Sequence, residues 1–173
     1  MIIGFIGNMG GGKTLSMVRH AYEKYLNGFT VYSNIKLEFP HEKLDLQLIL
    51  DYAKEERQFP RSVFIIDEAH IYLEARRSAS KRNLIISYFI LQTRKKDILL
   101  LYTTQNFGQV EKRLRDQTDI IVSCFTKHTK KGTFTLNKIQ ARKMEGVVQR
   151  KSVFKSSDYY NLYDTNEVVP LTL

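Results

Sequence analysis

A single cysteine, Cys124, in 173 residues excludes an intrachain disulfide and any Cys-rich zinc centre, and this sparing use fits a reducing cytoplasm. The four histidines, His20, His41, His70 and His128, stand at no metal-ligand spacing. Nowhere do about 18 apolar residues run uninterrupted, so no integral membrane segment is expected. The opening "MIIGFIG" lacks the basic leader and small-residue cleavage site of a signal peptide, and a buried first strand is expected there instead. No Pro/Gly/Ser-rich linker, low-complexity tract or repeat divides the chain. One domain over residues 1–173 is expected, with a core over about 1–125 and a basic, β-rich extension over about 126–173.

Acidic residues are scarce in one place above all. The formal net charge is +9. Between 127 and 155 stand Lys127, Lys130, Lys131, Lys138, Arg142, Lys143, Arg150, Lys151 and Lys155, against Glu145 alone. Smaller basic clusters lie at Arg76, Arg77, Lys81 and Arg82, and at Arg94, Lys95 and Lys96. A surplus so concentrated favours a polyanion partner over a merely solvated face. Double-stranded DNA is the partner expected.

What is present alternates. Short apolar runs are separated by helical patterns, the order of an α/β fold. Residues 2–7 read as a strand entering a glycine loop, after which Leu15, Val18, Ala21, Tyr22 and Tyr25 recur at helical spacing. "GFTVYSNI", "SVFIIDE" at 62–68, "DILLLYTTQ" at 97–105 and "TDIIVSCF" at 118–125 read as further strands. Residues 36–60 are expected to hold a peripheral helix and loops, and 80–95 a helix with a broad apolar face. Val110 and Leu114, four apart, mark a short amphipathic segment, and the two runs around Glu145-Gly146 alternate like a hairpin.

Gly7-Asn8-Met9-Gly10-Gly11-Gly12-Lys13-Thr14 matches G-x-x-x-x-G-K-[ST] in full, between a strand and a helix. The glycines let backbone N–H groups converge on phosphates, and the helix start adds its dipole. Residues Gly7 through Leu15 are the expected nucleotide cradle, with Lys13 reaching the β- and γ-phosphates of ATP and Thr14 holding Mg²⁺. A phosphate loop alone hydrolyses nothing; the Mg²⁺ needs a second anchor and the water a positioner. Asp67, at the end of a buried strand, suits the first role and Glu68 the second. Gln105 closes the next strand, where an amide could sense the γ-phosphate or orient the water; Thr103 and Thr104 are weaker candidates. Arg113 and Arg115 on "EKRLRDQ" could complete a neighbour's site, as could Arg94, Arg76 or Arg77.

Together, "GNMGGGKT", "VFIIDEAH", "LLLYTTQ" and "VEKRLRD" resemble the HerA/FtsK group of P-loop ATPases, and within it the viral packaging ATPases and the Zot-like phage assembly ATPases. The "TRKKD" stretch is similar to a basic stretch that Zot-like proteins place before the same strand. The resemblance covers roughly residues 1–125. It implies a three-layer P-loop NTPase of ASCE/RecA-like type, with a central, mostly parallel sheet and an antiparallel C-terminal edge hairpin. It also implies a ring, usually a hexamer, that uses ATP to move DNA or a filament of virion components. Capsid or membrane-associated virion proteins would be further partners, and the location would be the host cytoplasm or the virion. Three rivals share parts of the pattern. "DEAH" suggests a superfamily-two helicase, which needs a second RecA-like domain. "GNMGGGKT" with "DEAH" resembles thymidine kinase, which adds a cysteine-rich zinc lobe. A nucleotide-switched binding module for DNA or protein, with incidental turnover, is the third.

Overall fold

The structure is a computed structural model that describes residues 1–53, 59–72, 88–90, 93, 98–143 and 146–164. Eight strands form one sheet: β1 Ile2–Ile6, β2 Thr30–Ser33, β3 Glu42–Lys43, β4 Ser62–Ile66, β5 Leu99–Thr104, β6 Ile120–Thr129, β7 Gly132–Lys143 and β8 Gly146–Lys155. Their order is β3-β2-β4-β5-β1-β6-β7-β8. The first six run parallel, and β7 and β8 extend the sheet antiparallel. Among the described residues, four helices with defined bounds accompany it: α1 Lys13–Leu26, α2 Leu46–Ala53, α3 Ala69–Tyr72 and α4 Lys112–Gln117.

Alternation along the strands decides what each face holds. Ile3 and Phe5 of β1 pack with Met17, Val18 and Ala21 of α1, and with Val63, Ile65, Leu99 and Leu101. Ile2 points the other way, with Phe64, Ile66, Leu100 and Tyr102, toward Leu48 and Ile49 of α2 and Leu114 of α4. Apolar side chains on both faces are the signature of a sheet covered twice, so α1 on one side and α2 and α4 on the other make three layers. Ser62–Ile66 is buried at all five positions, which the unbroken "VFII" run requires.

The differences from the sequence reading have simple causes. The two-residue strand β3 was not anticipated, because "EK" carries no apolar pattern; it is held by its register with Tyr32 and Ser33. Strand β6 continues past Phe125 to Thr129, since its outer half pairs with β7 and needs no helix above it. Val110 is buried but precedes α4, with a 3-10 turn over Phe107–Gln109 before it. The helix expected over 80–95 lies largely outside the described residues, although 88–90 and 93 are helical. A 3-10 segment, Ser156–Leu162, brings the chain back beneath α1, and Tyr163 bridges to Leu37. Among the described residues no helix is long and apolar enough to cross a membrane.

Candidate functional site

Strand order builds the site. β5 lies between β1, which feeds the glycine loop, and β4, which ends in the acidic pair. Three parallel strands therefore deliver Gly7, Gln105 and Asp67 to one carboxyl-terminal edge, where ligands of open α/β sheets gather. Thr104 is in register with Ile6, so Gln105 leaves the sheet beside Gly7; its side chain is exposed.

The loop itself is tight. Gly11 N–H donates to Asn8 O at 3.0 Å, and the Lys13 ammonium donates to the same carbonyl at 3.2 Å, which draws this buried cation back over the loop. Gly7 has φ +152, and a Cβ there would meet Cys124 O at 2.5 Å. Gly12 has φ +81, with the Thr135 side chain 2.9–3.0 Å from its would-be Cβ. Only glycine combines such a conformation with so close a neighbour. The glycine spacing of the motif is thus enforced from outside, by β6 and β7. Thr126 Oγ1 adds a hydrogen bond to Gly10 O at 2.7 Å. Asn8, Met9 and Gly10 are exposed along the loop's rim, while Leu15 buries its side chain in α1.

Opposite the loop, one oxygen of Asp67 gathers the site. Thr14 donates its hydroxyl to Asp67 Oδ1 at 2.9 Å and Thr103 donates to the same oxygen at 2.7 Å. Thr103 Oγ1 in turn accepts the Glu68 N–H at 2.8 Å, so a single buried hydroxyl fixes both acidic residues. Asn34, at the end of β2, clamps the Asp67 backbone from the far side: its Oδ1 accepts Asp67 N–H at 2.7 Å and its Nδ2 donates to Asp67 O at 3.1 Å. Burial pushes the Asp67 carboxyl above its usual range; the Thr103 and Thr14 hydrogen bonds oppose this, Glu68 adds to it and Lys13 counters it. A hydroxyl and a carboxylate this close are the hard oxygen donors that Mg²⁺ takes.

Glu68 has φ +52, unusual for a side-chain-bearing residue and the kind of strain that collects at functional sites. His70 Nδ1 lies 3.2 Å from Glu68 Oε2, outside good hydrogen-bond angles, and neither atom has another partner among the described residues. The two arginines of α4 sit elsewhere. Arg113 is half-exposed and its Nε is 3.8 Å from Glu111 Oε1, the carboxylate that also caps α4 through the Arg113 N–H. Arg115 is half-buried on the same helix, across the sheet from α1. Within one chain, then, Lys13, Thr14, Asp67 and Glu68 converge, Gln105 stands beside them, and Arg113 and Arg115 do not join them. Arg76, Arg77 and Arg94 lie outside the described residues. Asn34 and His70 were missed as site residues and Thr103 was underrated, for no motif spacing marks them; a polar residue closing each buried strand was the available signal.

The fold has relatives among solved structures. The N-terminal domain of zonular occludens toxin from Neisseria meningitidis aligns with a TM-score of 0.63 at 22% identity, covering 94% of this chain and 98% of that one. The flagellar accessory protein FlaH from Methanocaldococcus jannaschii aligns with 0.59 at 16%, covering 89% and 84%. The genome packaging NTPase B204 from Sulfolobus turreted icosahedral virus 2, solved with AMPPCP, aligns with 0.57 at 12%, covering 89% and 98%. No curated protein matches the sequence. These identities establish a shared P-loop NTPase fold. The family model of zonular occludens toxin (Zot), however, matches residues 1–167, loop, acidic strand end and basic extension together, and the chain accordingly belongs to the Zot family.

Proposed function

We propose that the protein is an ATP-driven motor that acts as a ring, a hexamer in the arrangement its resemblance implies, and moves DNA during viral genome packaging or virion assembly. The observation that carries this reading is the joining of loop and acidic strand at one atom, Asp67 Oδ1, by Thr14 and Thr103. A phosphate loop used only to grip an anion needs no such acidic partner. Backbone N–H groups of residues 7–14 would bind the phosphates, and the Lys13 ammonium would stand at the β- and γ-phosphates. Mg²⁺, held by Thr14 and Asp67, would neutralise phosphate charge when bound. Glu68 would take a hydrogen bond from the attacking water and aim it at the γ-phosphate, its backbone fixed by Thr103. Gln105 would hold the same water or the γ-phosphate. B204, a genome packaging NTPase solved with an ATP analogue, supports nucleotide as the ligand of this fold.

Positive charge at the γ-phosphate in the transition state would come from the next subunit, from Arg113 or Arg115, since both lie away from their own loop. The test is ATP turnover with and without DNA, on material whose oligomeric state is measured in the same buffer. Turnover that rises with DNA on an assembled ring supports the motor. Glu68→Gln should keep nucleotide binding and lose hydrolysis. Assembled protein that binds ATP without turnover would replace the motor by a nucleotide-switched docking module.

A further inference from the structure

We propose that the outward face of β6–β8 binds single-stranded nucleic acid, by stacking bases on an apolar row set between rows of lysine. This deepens the reading above, which asks only for DNA, by assigning the contact surface and a strand whose bases are accessible.

The two faces of this three-stranded extension have different fates. One is consumed by the nucleotide site: Thr126 holds Gly10, Thr135 abuts Gly12, Asn137 accepts a hydrogen bond from Ser16 at 3.1 Å, and Phe154 lies under Arg19. The other carries exposed side chains, and its rows follow from the register. Ser123, Lys138 and Lys151 stand side by side; next come Phe125, Leu136 and Val153; then Lys127, Phe134 and Lys155. Phe125 is 47% exposed and Val153 60%, and all four of these lysines are exposed. No acidic residue occupies this face among the described residues.

Two features of this face suit a nucleic-acid ligand. Lys138 and Lys151 are direct cross-strand partners, an arrangement that like charges destabilise, so a polyanion is what would relieve it. Charge alone, however, does not call for a large exposed apolar row between the lysines. A duplex offers phosphates to the lysines but keeps its base faces stacked inside, so the row would gain nothing from it. A single strand offers both: phosphates for Lys127, Lys138, Lys151 and Lys155, and base faces for Phe125 and its diagonal neighbour Phe134. Lys138 Nζ already stands 5.2 Å from the Phe125 ring centroid, so the cation and the stacking surface are one spot.

Fluorescence anisotropy with a labelled oligothymidylate and with a duplex of equal length, in the absence of nucleotide and across a salt series, tests this. The single strand should bind more tightly than the duplex. Phe125→Ala should weaken the single strand on the order of tenfold and leave the duplex unchanged. Lys151→Ala should weaken both and lower the log–log salt slope for the single strand by about 0.7. ATP turnover without DNA should match the parent in both variants, which reports an intact fold. Equal binding of both forms, indifferent to Phe125→Ala, would overturn the proposal in favour of a phosphate-only surface; binding of neither would overturn it in favour of an acidic protein partner. Single-strand binding without any ATP turnover would sink the motor and leave this face standing, whereas turnover without binding would do the reverse.

Discussion

Thr103→Val is the most informative substitution the site offers. Thr103 is fully buried, and its hydroxyl donates to Asp67 Oδ1 at 2.7 Å while accepting the Glu68 N–H at 2.8 Å. Valine keeps the shape and deletes the bridge. The lost bond is to a carboxylate, worth about 1.5–3 kcal/mol, and the Glu68 N–H left without its partner costs about 1–3 more. Because the two contributions overlap, a destabilisation of about 2–4 kcal/mol is expected. Thr104 is the internal control. It is equally buried, yet its hydroxyl donates to Asn106 O at 3.1 Å rather than to a carboxylate, so Thr104→Val should cost about 1 kcal/mol. Urea midpoints on the free protein give both values, and ATP turnover gives the consequence: at least tenfold slower for Thr103→Val, near parental for Thr104→Val. If the two variants lose the same stability and the same activity, Thr103 does not position the acidic pair and the account of the site is wrong.

Lys13→Ala should abolish turnover while leaving the thermal unfolding of the free protein within a few degrees of the parent, because among the described residues its ammonium bonds just the loop carbonyl of Asn8; a collapsed unfolding transition would make Lys13 structural. Gly12→Ala places a Cβ against Thr135 at a φ of +81. It should cost about 2 kcal/mol or more, and adding Thr135→Ser, which removes the closest methyl, should recover part of that in chemical denaturation but not the φ strain. Burial holds His20 below its ordinary 6.5, assisted by Lys24 and Arg19 and opposed by Glu23. The unfolded chain therefore takes up a proton on this residue before the folded one does, so its contribution is full above about pH 6.5 and falls as pH drops toward the lower folded value. Urea midpoints should thus fall between pH 7.5 and 5.5 more steeply for the parent than for His20→Gln; parallel curves would refute it. Chains carrying Lys13→Ala and chains carrying Arg113→Ala with Arg115→Ala should each be inactive and regain part of their turnover on mixing, as some interfaces would join an intact loop to an intact arginine.

The parallel core was legible because its strands are apolar on both sides. "VFII" and "LLLY" leave no polar face for water, and that fixes them as central strands whatever their neighbours. Strand β3 was not legible, for two charged residues become a strand only when Tyr32 and Ser33 offer them a ladder. The loop and the acidic pair stand out in the sequence for a different reason: each is a fixed pattern of residue types on its own short stretch of chain, and the fold brings the two together where Thr14 meets Asp67. Asn34 escaped and Thr103 was ranked low because they act on Asp67 from other strands, 33 and 36 residues away in sequence. Sequence spacing carries no trace of which strand will lie next to which.

That adjacency also bears on the proposal that an arginine of α4 serves a neighbouring subunit. Beyond Gln105 the chain crosses to the face away from α1, and α4 then runs back toward the amino ends of the strands: Thr118 bonds Tyr102 in mid-sheet, and Asp119 N–H reaches Ile2 O. An arginine on such a helix travels away from the phosphate edge of its own sheet. Glu111, buried and bonded to the Arg113 N–H, caps the helix start and holds it there. Unwinding α4 to turn Arg113 toward its own loop would expose Val110 and Leu114, both fully buried, at about 1.5–3 kcal/mol each. Two such losses are comparable to the whole stabilisation that one arginine finger gives a transition state. In the ring proposed above, a neighbouring chain presenting the same helix from outside would pay none of that cost, which is why the proposal places the arginine in the next subunit.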